Sequence, residues 1–213
     1  MKNKYNIAQC LLNERNYSPE EIQSLLRQGE TDEEILVHRV PEIVRADARP
    51  IRTAVKLAAA DGYDDELNIY TKYVELFIEK MQELTHTFSV VSQDLVVTEE
   101  PSPAYAVSIR VSGDIDFVGG VIASEPVFLE MARRYSGEEF DRVDDLAIDC
   151  CEEFLNVVQG LFSIEMAKRD LEGDLHPPRW KKDVVPQGSR QLRLRVYTSF
   201  GSFQIILAVD EFF

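Results

Sequence analysis

Apolar residues recur at helical spacing through the first part of the chain. Leu25 and Leu26, and then Ile35, Leu36, Val40, Ile43 and Val44, supply apolar faces between polar positions. Ser18-Pro-Glu-Glu21 has the form of a capping box, with proline at the first helical position, where its missing N–H costs nothing. Thr31-Asp-Glu-Glu34 repeats the start signal, and the stretch from Pro50 predicts another helix ending near Asp61-Gly62. Residues 1–65 therefore read as a small all-helical N-terminal region without a catalytic constellation. Leu67, Tyr70, Val74, Phe77, Ile78 and Met81 then predict one amphipathic helix over residues 66–85.

After that helix the period falls to two. Phe88-Ser-Val-Val predicts a strand, and Leu95-Val-Val-Thr its continuation or a second one. Pro101-Ser-Pro103 breaks the chain. Tyr105-Ala-Val-Ser-Ile-Arg-Val and Ile115-Asp-Phe-Val-Gly-Gly-Val-Ile-Ala, joined at Gly113-Asp114, predict a hairpin. Ser124-Glu-Pro126 opens a helix that stops at Ser136-Gly137. A longer helix is expected from about Val143 to Asp170, with Asp144 and Asp145 in its first turn, where negative charge suits the helix dipole, and with Gly173 ending it. A loop carrying Trp180, Lys181 and Lys182 then leads from Pro177-Pro178 to a second hairpin, Leu192–Tyr197 with Phe203–Val209. The order predicts an α+β domain over residues 66–213, an antiparallel sheet with packed helices.

Composition narrows the function classes. A net charge of −15 argues against nucleic acid, whose phosphates need a basic surface. No apolar run approaches the roughly 20 residues that span a bilayer, and the first residues turn polar too soon for a signal peptide, so the expected location is cytoplasmic. Cys10, Cys150 and Cys151 make no disulfide framework. Cys150 and Cys151 fall on the buried side of the long helix, where they read as small core residues. The three histidines have no ligand spacing with them, so no metal site is expected.

The candidate chemistry lies in Asp149-Cys-Cys-Glu-Glu153-Phe-Leu-Asn156, with Pro177-Pro178 further on. At about 100° per residue, Asp149, Glu153, Asn156 and Gly160 fall within one narrow stripe. Ala147, Cys150, Phe154, Val157, Val158 and Leu161 fall on the other side. Asn is a mediocre helix former, and a mid-helix Gly costs roughly 1 kcal/mol relative to Ala. Asn156 with Gly160 one turn on therefore marks a surface that something approaches closely.

From about residue 68 onward, these features resemble the CheX/CheC-type chemotaxis phosphatases. The resemblance rests on the hairpin ending in Phe117-Val-Gly-Gly-Val-Ile-Ala, the helix closing with Tyr135-Ser-Gly137, the acidic turn Phe140–Asp145, the D-x-x-x-E-x-x-N helix, Pro178 and the closing hairpin. The family dephosphorylates the phospho-aspartate of CheY-like response regulators. The resemblance implies that Asn156 orients the attacking water and that Glu153 pairs with a lysine beside the partner's phosphorylation site. Asp149, Gly160 and Pro178 take supporting places. It implies no cofactor of the protein's own, with Mg²⁺ held by the phosphorylated receiver. It also implies a homodimer formed by joining sheet edges, for which the outer strands of the two hairpins are candidates. A single copy of the motif brings the chain nearer to CheX than to CheC. A non-catalytic CheX-like adaptor or dimerisation module in two-component signalling is the alternative, and residues 1–65 are not covered by the resemblance.

Overall fold

A computed structural model describes residues 5–14, 17–32, 50–59, 66–92, 99–188 and 190–213. The chain forms two compact units, Met1–Val96 with Leu194–Ser202, and Val97–Arg193 with Phe203–Phe213.

The first unit contains helices α1 (Tyr5–Glu14), α2 (Pro19–Thr31), α3 (Pro50–Ala59) and α4 (Leu67–Thr85), strand β1 (Ser89–Val91) and most of strand β6 (Gln191–Thr198). The capping box at Ser18 is formed. The Glu21 amide donates to Ser18 Oγ at 3.3 Å, and the Ser18 amide donates to Glu21 Oε2 at 2.8 Å. Thr31 instead closes α2, its hydroxyl donating to the Gln28 carbonyl at 3.0 Å. The helix expected from Thr31 onward, with Ile35, Leu36, Val40, Ile43 and Val44, lies outside the described residues, as do Asp61-Gly62 and the strand expected at Leu95–Thr98. Ala8, Leu11, Ile22, Leu25 and Leu26 from α1 and α2 pack with Phe88, Val90 and Tyr197. β1 pairs antiparallel with β6, Ser89 opposite Thr198 and Val91 opposite Val196. Gln9 closes the other side of β1: its amide donates to the Val91 carbonyl at 2.9 Å and accepts from the Val91 N–H at 2.7 Å. One buried side-chain amide thus replaces a strand partner.

In the second unit, β2 (Ala104–Gly113) and β3 (Phe117–Ser124) form the expected hairpin, in register from Ala104 opposite Ser124 to Val111 opposite Phe117. β3 pairs on its other side with β7 (Gly201–Ala208), Val118 opposite Ala208 and Ile122 opposite Gln204. Helices α5 (Glu125–Ser136) and α6 (Asp145–Ala167) follow β3. α5 ends as its sequence predicts, on Gly137 at φ 75°, a left-handed position that glycine adopts without penalty. The fold class is α+β, and these strand pairings among the described residues are antiparallel.

Two short strands replace the expected loop around Pro177-Pro178. β4 (Gly173–Leu175) and β5 (Arg179–Lys182) both pair with the outer edge of β2. All four β5 residues are exposed, so they show none of the apolar alternation that betrays a strand. Their conformation comes from the backbone partners that β2 offers. Gly173 belongs to β4 rather than to the end of the long helix. The hairpin edges expected to serve subunit pairing are therefore occupied: β4 and β5 cover β2, and β1 covers β6.

Candidate functional site

The site is built on α6. Asp144 is its N-cap, outside the first turn, and its carboxylate accepts from the Ala147 amide at 3.0 Å, while Asp145 stands in that turn. One side of the helix buries Ala147, Ile148, Cys151, Phe154, Leu155, Val158, Gln159, Phe162 and Met166. Cys150, Val157 and Leu161, expected on that side, are only half-buried at its margins. Tyr135 of α5 meets Phe154 edge-on, with ring centroids 5.9 Å apart. α5 therefore lies on one flank of α6, and β4 and β5 lie against α6 as well.

Two contacts set the level of α6 along the sheet. Gln159, fully buried, donates from Nε2 to the Ile109 carbonyl of β2 at 3.1 Å. Three residues further along the helix, Phe162 meets Phe117 edge-on at 5.4 Å, and Phe117 is the cross-strand partner of Val111. The helix thus runs in the same sense as β2, three of its residues advancing about 4.5 Å while two residues of strand advance about 6.6 Å.

The predicted stripe faces outward. Asp149, Glu153 and Asn156 are exposed on successive turns, with half-buried Gly160 following. Asn156 makes no side-chain hydrogen bond among the described residues. A Cβ on Gly160 would meet nothing among the described residues within 4 Å beyond its own stretch of helix, so their packing does not require glycine there. Pro178 is not on the helix; it leads into β5 beside it. Leu146 and Ile164, each 56% exposed, share the outward face with Glu153, two apolar residues that sequence reasoning did not single out. Their signal was available: Leu146, Glu153 and Gly160 stand at seven-residue steps, close to two helical turns.

The electrostatics set the neighbouring groups apart. Partial burial pushes the Glu152 carboxyl up, and the Asp149 charge adds to it. Burial raises the Tyr135 phenol, with Glu153 and Cys150 adding. Burial likewise raises the Cys150 thiol, against a hydrogen bond with Ser136 that lowers it and with Asp149, Asp144 and Glu138 adding, and lifts that of Cys151 well above its ordinary value. Both therefore stay protonated and poorly nucleophilic at neutral pH. Among the described residues, no three His, Cys, Asp or Glu side chains are grouped to hold a metal ion, and no helix is long and apolar enough to cross a membrane. A cavity of about 190 Å³ lies among Ser108, Arg110, His176, Arg179, Phe212 and Phe213, none of them on α6. The arrangement offers a carboxylate and a free amide on a rigid exposed helix, suited to positioning groups supplied by another molecule.

No protein-family model and no curated protein matches the sequence. Solved structures do match. The chemotaxis protein CheX from Desulfovibrio desulfuricans superimposes with a TM-score of 0.56 at 12% identity, over 67% of this chain and 99% of that one. CheX from Vibrio vulnificus gives 0.55 at 14%, over 66% and 95%. The chain has a CheX/CheC-like fold. A complex of CheX with CheY, BeF₃ and Mg²⁺ from Borrelia burgdorferi shares it, with a TM-score of 0.50 at 15% identity, over 67% of this chain and 97% of that one. Within this fold, α6 carries the outward stripe, and the sheet holds it at a fixed level.

Proposed function

We propose that this protein is a phosphatase acting on the phospho-aspartate of a CheY-like receiver domain. One observation carries the reading: Glu153 and Asn156 stand exposed one turn apart on α6, with the amide of Asn156 uncommitted among the described residues. The CheX–CheY complex with BeF₃ and Mg²⁺ among the proteins of like fold supports a CheY-like partner.

The chemistry suits these side chains. An aspartyl phosphate is an activated acyl phosphate, and its loose transition state asks a helper chiefly to position the nucleophile. The Asn156 amide oxygen accepts from water and its NH₂ donates, with no shifted pKa required. Glu153 pairs with a lysine ammonium of the receiver through a charge-assisted bond and so sets the register of Asn156 over the phosphoryl group. Asp149 supports the stripe from one turn earlier. The residues that contact Mg²⁺ belong to the receiver, and no cofactor is assigned to this chain.

The test is the rate at which a phosphorylated CheY-like receiver loses its phosphoryl group in Mg²⁺, with and without this protein. Acceleration that falls by about 10²-fold in Asn156→Ala is expected from the loss of a positioned water. A receiver that binds yet decays at its own rate would overturn the phosphatase reading and favour a non-catalytic adaptor.

A further inference from the structure

The sheet sets a tryptophan beside the candidate stripe. β5 pairs with β2 so that Val107 stands opposite Trp180 and Tyr105 opposite Lys182. Directly opposed residues of antiparallel strands share a face. Tyr105 meets Phe128 of α5 at 5.4 Å, and Phe117, opposite Val111, meets Phe162 of α6. The face carrying Tyr105, Val107, Ile109 and Val111 is thus the helix face, and Trp180 and Lys182 project on that side.

Their level along the helix follows from the contacts already described. Gln159 meets Ile109, and Phe162 stands level with Val111. Counting back from the Gln159–Ile109 contact, Asn156 lies about 4.5 Å along the helix and Val107 about 6.6 Å along the strand, so Asn156 stands within about 2 Å of the level of Val107 and its partner Trp180. The flank also matches. Asn156 lies about 60° from buried Gln159 around the helix, on the side away from Phe154, which faces Tyr135 of α5. That flank looks toward β5.

Trp180 is the chain's one tryptophan and is 45% exposed. With Leu146 and Ile164 on α6 it adds an apolar wall to a face whose polar tools are Glu153 and Asn156. Lys182 lies over the Tyr105 ring at 5.3 Å, a cation on the rim of a strongly acidic protein. Exposed tryptophans beside polar groups are frequent anchors of protein interfaces.

We infer that Trp180, flanked by Lys182, is a docking residue for the receiver domain, contacting the partner while Asn156 faces its phosphoryl group. The inference rests on the phosphatase reading. The partner surface it fits has an apolar patch next to the negatively charged phospho-aspartate pocket, which Lys182 attracts. Trp180 acts in recognition and touches no reacting atom.

The experiment uses the full chain labelled with 5-fluorotryptophan, which gives one ¹⁹F resonance from Trp180. A CheY-like receiver loaded with beryllofluoride and Mg²⁺ is titrated in, and turnover of the phosphorylated receiver is measured in parallel. The resonance is expected to shift on binding, equally in Asn156→Ala. Trp180→Ala is expected to raise KM about tenfold with kcat within about twofold. Trp180→Phe is expected to recover part of the loss, and far-UV circular dichroism of both variants checks the fold. A stationary resonance in a complex that forms, or an unchanged KM, overturns the inference and leaves the phosphatase reading standing. A shift without any turnover supports the docking role and removes the phosphatase reading. No complex with any activated receiver overturns both.

Discussion

Gly160→Ala separates what the helix needs from what its partner needs. Gly160 lies within α6, seven residues before its last residue, Ala167. Beyond its own stretch of helix, the new methyl would meet no atom of the described residues within 4 Å, so it brings neither clash nor tertiary packing. What remains is intrinsic propensity, where Ala is favoured over Gly by about 0.8–1 kcal/mol in a helix interior. The variant is therefore expected to be more stable by about 1 kcal/mol, or about 2–4 °C in Tm for a chain of this size. Urea unfolding and thermal scans measure this directly. Turnover should move the other way. If a receiver approaches α6 closely at this point, one turn from Asn156, a methyl holds it back, and a misplacement of about 1 Å can cost on the order of 10²-fold. Gly160→Leu should cost more than Gly160→Ala. The combination of higher stability and lower kcat/KM is the signature expected of a glycine kept for a partner. A destabilised Gly160→Ala would refute the open-space reasoning, and a stabilised variant with unchanged kcat/KM would refute the close approach.

Gly120 should behave in the opposite way. A Cβ there would stand 2.4 Å from the Val107 carbonyl oxygen and 2.9 Å from the Phe212 ring, so Gly120→Ala is expected to destabilise the protein by about 1–3 kcal/mol or more in urea unfolding. A neutral result would mean that β3 yields easily at this position. The pH dependence on the alkaline side should report Cys151. Burial raises its thiol above the ordinary value of 9.0, so above that pH the unfolded chain loses this proton while the folded chain keeps it. The folded state then holds more protons, and stability falls as pH rises past 9. Cys151→Ala should make that slope shallower between pH 8 and pH 10, and an unchanged slope would assign the loss to other groups.

The legible parts of this protein were those governed by local rules. A helix places residues three and four apart on one face whatever surrounds it, so the stripe of Asp149, Glu153, Asn156 and Gly160 could be drawn from spacing alone and does face outward. The capping box at Ser18, the Gly137 C-cap and the hairpin of β2 with β3 were legible for the same reason, since each is closed by near neighbours in the chain. Residues 179–182 carried no such signal, being exposed and strongly basic; they are a strand because β2 leaves them an edge to pair with. Chemically identical glycines part ways on the same ground. Gly120 is hemmed in by Val107, Ser108 and Phe212, remote in sequence, while Gly160 has open space. Nor could spacing bring Trp180 near the level of Asn156, because that position depends on Gln159 meeting Ile109 and on Val107 pairing with Trp180. The sequence by itself determined which side chains ride together on one element. Only the tertiary structure decided which elements lie side by side, because that is set by contacts between residues far apart in the chain.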